Sequence, residues 1–130
     1  MQVDSDWRPG GPAWPRLFAA IDSRDADAFA AFLTPDGEFR FGNGPAVVGR
    51  DAVRAAVAGF FAAIGGCSHR MLRSWEGPGT VACEGEVTYL RLDGARVTVP
   101  FANAFTLRDG AIASYRIYID NAPLWAQRAG

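Results

Sequence analysis

Three apolar stripes of helical period fill the first half of this chain, and four blocks of strand-like alternation fill the second. Trp14, Leu17, Phe18 and Ile21 recur at helical spacing over residues 14–22. Ala28, Phe29, Phe32 and Leu33 repeat the pattern over 24–32. The clearest stripe, Val53, Val57, Phe60, Phe61 and Ile64, predicts a helix over 50–64. Between the second and third stripes, Thr34-Pro35-Asp36-Gly37 reads as a turn, 38–41 as a short strand and 42–49 as a loop. Strands are expected over 68–76, 80–92, 96–108 and 111–119. Gly77-Pro78-Gly79, Asp93-Gly94 and Asp109-Gly110 separate them, and the two Asp-Gly pairs are hairpin signals. Asp120 or Asn121 then caps a short helix over 122–127.

Helices first and a meandering antiparallel sheet second is an α+β order. The expected architecture is a strongly curved, mostly antiparallel sheet wrapped around three N-terminal helices as a cone with one closed end. Residues 1–12, rich in Pro, Gly and charge, read as a flexible arm ahead of a single domain over 13–130.

The composition narrows the chemistry. The chain has 130 residues, 49% of them hydrophobic, which fits one globular domain. With 13 basic and 14 acidic residues the net charge is −1, so no electrostatic argument favours nucleic acid or an anionic membrane. Every basic residue is Arg, which excludes a Schiff-base lysine, a phosphate-loop lysine and lysine-dependent pyridoxal chemistry. Nothing at the N-terminus reads as a secretory signal, and no apolar run reaches membrane-spanning length. Cys67 and Cys83 lack motif spacing and are expected as free thiols in a reducing cytoplasm. One His and two Cys do not make a zinc site of usual composition, so neither metal nor cofactor is expected.

Two of the four glutamates, Glu84 and Glu86, fall at strand period two and so share a face. Alternation alone makes Val81, Cys83, Val87 and Tyr89 the buried face and leaves the glutamates in solvent. On an enclosed face, two such carboxylates would share a proton and act as acid and base together. Asn103 is a lone amide in the row Val97, Val99, Phe101, Phe105 and Leu107, where it pairs with a neighbouring strand or meets a ligand. His69, the only imidazole, begins a strand and is read as structural or catalytic.

The sequence resembles the nuclear-transport-factor-2-like superfamily, within its SnoaL-like group, over roughly residues 13–126. Residues 19–29 (AAIDSRDADAF) match the first helix pair and 48–54 (VGRDAVR) the entry to the third helix. Residues 109–120 (DGAIASYRIYID) match the closing strand. The resemblance implies the cone and a homodimer formed through the outer sheet face. It also implies an internal pocket for a small hydrophobic molecule, with isomerase, cyclase or dehydratase chemistry and no cofactor; ligand carriers and protein-interaction domains share the fold. Aligning the hairpins through Asp93-Gly94 places Glu84, Glu86, Thr88 and Leu90 on the pocket side. Phe101, Asn103 and Phe105 join them there, as do Tyr115, Ile117 and Ile119. Phe39, Phe41, Phe60 and His69 complete the expected lining.

Compared with ketosteroid isomerases, the oxyanion-hole acid falls on Asn103, but the base falls on Phe41 and the oxyanion tyrosine near Leu17. Compared with limonene epoxide hydrolase, the acid falls on Glu86 and its arginine on Glu84. The second aspartate falls on Ile117, and the water-holding pair on Phe39 and Phe41. Neither mechanism carries over whole. The expected catalytic set is Glu86 as acid/base, Glu84 tuning it and Asn103 donating to an oxyanion.

Overall fold

A computed structural model describes residues 6–126. Its elements are α1 (Ala13–Asp22), α2 (Ala26–Ala30), β1 (Leu33–Phe41), β2 (Val47–Val48), α3 (Arg50–Ala62), β3 (Gly66–Gly77), β4 (Thr80–Leu90), β5 (Arg96–Arg108), β6 (Ala111–Ile119) and α4 (Ala122–Trp125). The strands form one mixed sheet in the order β2-β1-β6-β5-β4-β3. Only β1 and β6 pair in parallel; the other pairs are antiparallel. The architecture is α+β, with N-terminal helices against a six-stranded, mostly antiparallel sheet.

The apolar stripes become the buried helix faces. Trp14, Leu17 and Phe18 of α1 and Val53, Val57 and Phe61 of α3 join Phe39, Phe101, Phe105 and Tyr115 of the sheet in one core. Asp25 caps α2 by accepting from the Ala28 N–H at 2.9 Å. The expected turn at 34–37 is a register shift inside β1, between Leu33 and Glu38, where Pro35 has no N–H to give a ladder. Two residues of the expected loop pair with β1 as β2. Residues 6–12 of the expected arm are anchored through Trp7, which is buried in the core. Its indole donates to the Gly110 carbonyl at 3.0 Å, and its own carbonyl accepts from the Trp14 indole at 2.8 Å. Residues 1–5 of that arm, and Gln127 of the expected last helix, lie outside the described residues.

The two Asp-Gly hairpins differ by one residue, which decides which face each strand buries. At Asp109-Gly110 both residues have positive φ, 53° and 80°, and Arg108 pairs with Ala111. That is the two-residue loop the sequence predicts. At Asp93-Gly94 only Gly94 has positive φ, 88°. There the Arg91 N–H donates to the Ala95 carbonyl at 2.8 Å and the Gly94 N–H to the Arg91 carbonyl at 3.0 Å, enclosing three residues. Leu90 therefore sits opposite Arg96, and Cys83 opposite Asn103. A two-residue loop would have shifted the pairing by one and turned β4 over.

Candidate functional site

The wall of the site is aromatic because the inward-facing rows of β1, β5 and β6 are aromatic or branched and α3 adds Phe60 and Phe61. Together they enclose a cavity of about 300 Å³. Phe39, Phe41, Phe60, Phe101, Asn103, Tyr115, Ile117 and His69 all line it, together with Ile21, Cys67 and Tyr89. The rings hold one another: Phe41 and Phe60 have centroids 4.9 Å apart, and Phe39 and Tyr115 5.3 Å.

Glu84, Glu86 and Thr88 are not in this wall, and that expectation is corrected. On β4 the buried positions are Val81, Cys83, Gly85, Val87 and Tyr89, so the even-numbered side chains, Leu90 included, point to the opposite face. The cause is the three-residue loop after Leu90. Glu84 and Glu86 have side chains 40% and 46% exposed and face Arg73 at 2.7 Å and Arg70 at 4.0 Å. Thr88 shares a hydroxyl hydrogen bond of 2.9 Å with Thr98 on the same outer face. These are surface ion pairs and a surface polar contact, remote from the cavity.

A different pair of ionisable groups reaches the cavity, through His69. Asp22 ends α1, and its Oδ1 lies 2.6 Å from His69 Nδ1 on β3. Its Oδ2 accepts the His69 backbone N–H at 3.0 Å, so one carboxylate fixes both the ring and the strand bearing it. Phe18 stacks on the imidazole at 5.1 Å, and Phe101 meets it edge-on at 5.3 Å. The side chains of His69 and Asp22 are only 13% and 28% exposed. A carboxylate can only accept, so a neutral ring facing Asp22 carries its proton on Nδ1 and keeps its lone pair on Nε2. Sequence reasoning singled out His69 but missed Asp22. The partners lie 47 residues apart and meet only when the end of α1 packs on β3. The one available signal was an acidic residue closing an apolar helical stripe.

Cys67 completes the cluster. Its Sγ lies 3.6 Å from the Ile21 carbonyl and 3.7 Å from Asp22 Oδ1. Burial first, and the Asp22 carboxylate second, push its pKa up to about 12, so it stays a thiol that donates weakly to Asp22. The ligand atoms of Asp22, Cys67 and His69 all lie within 4.8 Å of one another, a donor set of the type zinc accepts. The 2.6 Å Asp22–His69 separation, however, is a hydrogen bond. Two ligands at about 2.0 Å from a tetrahedral ion stand roughly 3.3 Å apart. The arrangement is that of a hydrogen-bonded dyad.

Three further polar groups face the cavity. Burial holds the Tyr115 phenol well above its ordinary pKa and pushes Tyr89 up to about 12, so both remain donors at neutral pH. Asn103 is only 3% exposed. It sits opposite Cys83 on the neighbouring strand, and its Oδ1 has no partner among the described residues. The amide was expected to donate to an oxyanion; the group the structure leaves open is an acceptor.

Solved structures of the same fold include TerC, crystallised with polyporic acid, which is 21% identical with a TM-score of 0.76 over 87% of this chain and 92% of that one. A candidate SnoaL-like polyketide cyclase from Jannaschia is 22% identical with a TM-score of 0.75, over 87% of this chain and 86% of that one. An NTF2-like protein of unknown function from Burkholderia pseudomallei is 17% identical with a TM-score of 0.80 over 95% of both chains. At these identities the likeness is one of fold. No curated protein matches the sequence. The model of the SnoaL-like domain matches residues 14–115, which hold α1 to α3, the core of the sheet and every cavity residue named above except Ile117, and the chain belongs to that family.

Proposed function

We propose that the protein is a cofactor-independent enzyme that moves a proton on an apolar, ring-containing substrate held in this cavity, an isomerase, cyclase or dehydratase in type. The observation that carries the reading is that His69, held by Asp22, lines a largely apolar cavity. With Nδ1–H held by Asp22, Nε2 accepts a proton from an activated carbon or hydroxyl of the substrate. The resulting imidazolium is stabilised by the carboxylate. Return of that proton to another carbon completes an isomerisation or follows ring closure. Its return to a departing hydroxyl completes a dehydration. Tyr115, kept protonated by burial, supplies a donor for charge developing on a substrate oxygen. That TerC was crystallised with polyporic acid, and that a relative of the fold is a candidate polyketide cyclase, supports a small organic substrate.

The test is proton exchange from deuterated water into a panel of polyketide-like, terpenoid and steroid ketones, followed by NMR. The wild type should accelerate exchange on at least one compound that binds. His69→Gln should lose roughly 10²–10⁴-fold while its melting temperature is kept. Binding without exchange in the wild type would leave a hydrophobic-ligand carrier instead.

The outer sheet face supports a homodimer in the same reading. Trp75 and Tyr118 are each at least half exposed there. A shallow groove between Trp75, Ala82, Ala104 and Arg116 lies beside them. Sedimentation of the wild type should show a dimer that Trp75→Asp dissociates; a monomeric wild type would refute it.

A further inference from the structure

We propose that the occupant of the cavity is a planar alcohol or phenol that donates its hydroxyl proton to Asn103 Oδ1. The proposal rests on the reading above in taking the same cavity as the substrate site, and it adds the class of substrate.

Asn103 sits in the middle of β5, opposite Cys83 on one side and Ile117 on the other, with Phe101 and Phe105 along its own row. None of these side chains offers its carbonyl an N–H or O–H donor. Cys83 beside it is kept a thiol by burial, which pushes its pKa up to about 12. The carbonyl oxygen is left buried in the cavity wall with no partner among the described residues. A buried acceptor left unpaired is destabilising, and a leucine of similar size would avoid that cost. An amide at this place is explained by a ligand that satisfies it.

The direction of the hydrogen bond selects the chemistry. An amide carbonyl accepts and cannot donate. A hydroxyl satisfies this oxygen, whereas a ketone, ether or carboxylate oxygen, which can only accept, leaves it unpaired. A site built around such a bond discriminates strongly against analogues that lack the donor, because the buried group is then left unpaired.

The register also sets the ligand's length. His69 pairs with Val87, which pairs with Val99, four residues along β5 from Asn103. Four residues of strand span roughly 13 Å at the backbone. Phe101 lies between, its ring against His69. A ligand touching both groups carries its hydroxyl at one end and its reacting atom near the other, with more than one ring between or beside them.

Calorimetric binding of 2-naphthol, 2-methoxynaphthalene and 2-acetylnaphthalene to the wild type and to Asn103→Leu tests the proposal. The wild type should bind the naphthol roughly tenfold more tightly than its methyl ether and than the ketone. In Asn103→Leu that preference should fall to about twofold or less, with no loss of melting temperature. Equal binding of the three by the wild type would overturn the proposal. So would a naphthol preference that survives in Asn103→Leu, tighter binding of the ketone, or no binding of any of them. The comparison within the wild type decides the matter even if the variant fails to fold. Because the readout needs no turnover, a hydroxyl preference without proton exchange refutes only the acid/base reading. Exchange without the preference refutes only this one.

Discussion

Removing the Asp22 carboxylate should release the tautomer of His69, and this can be read directly because the chain has a single histidine. Asp22 Oδ1 lies 2.6 Å from Nδ1, in a pair whose side chains are 28% and 13% exposed, so water competes weakly for either group. A hydrogen bond to a charged partner is worth roughly 1.5–3 kcal/mol. At about 1.4 kcal/mol per factor of ten, that biases the neutral ring towards Nδ1–H by roughly ten- to 150-fold. Nitrogen-15 NMR of the imidazole, recorded where the ring is neutral, should show Nδ1 protonated and Nε2 bare in the wild type. In Asp22→Ala the two tautomers should approach comparable populations. On a substrate that the wild type turns over, kcat should fall at least about tenfold, since Nε2 then carries the proton in much of the enzyme. A wild-type ring protonated on Nε2, or a tautomer ratio unchanged in Asp22→Ala, would refute the dyad whatever the activity does.

Three further outcomes follow from the packing. Gly85→Ala should destabilise the protein by about 3 kcal/mol, as much as the overpacking of a tight core, because a Cβ there would stand 2.1 Å from the Arg70 carbonyl oxygen beside the bulge of β3; urea denaturation measures it, and a cost under about 1 kcal/mol would show that the bulge relaxes. Stability should fall in alkali: burial pushes the Cys83 thiol from 9.0 and the Tyr89 phenol from 10.0 up to about 12, so the unfolded chain releases these protons first. Each group then contributes stability that is full below about pH 9 and declines by roughly 1.4 kcal/mol per pH unit towards about 12, with Cys67 acting in the same direction; denaturation midpoints that stay flat between pH 8 and 11 would count against it. Glu86→Gln should change stability by less than about 1 kcal/mol and leave ligand affinity in the cavity unaltered, since it removes only a long, solvated contact to Arg70; a large loss of affinity by calorimetry would place Glu86 at the site after all.

Element order and class were legible because they rest on periodicity, which each segment carries by itself. The aromatic wall was legible for the same reason: Phe101, Asn103, Tyr115 and Ile117 occupy alternate positions on β5 and β6, and the Asp109-Gly110 loop has the length its sequence suggests. The Glu84–Glu86 placement failed on a single residue of loop length. Asp-Gly fits a two-residue loop with both residues at positive φ and equally a three-residue loop with glycine alone at positive φ, and nothing local distinguishes them. The bare alternation of β4, with Val81, Cys83, Val87 and Tyr89 inward, had the face right. The Asp22–His69 pair was illegible in a stronger sense, since it depends on how the end of α1 meets β3 and on no spacing within either.

The same register explains why chemistry and charge part company across the sheet. Asn103 lies inward because Cys83 does, and Glu84 lies outward because Ala102 does. Four charged side chains, Arg70, Arg73, Glu84 and Glu86, are thereby gathered on the outer face of β3 and β4. Charge beside an edge strand such as β3 discourages pairing with another chain's edge, which is sufficient reason for residues with no part in the cavity. The inner face keeps one imidazole, one amide and two phenols in an apolar wall. There each is worth more to a bound molecule than it would be in water, and an unpaired one is costly. A polar group retained at that cost marks the site more securely than a pair of acids whose charges are already met by arginines.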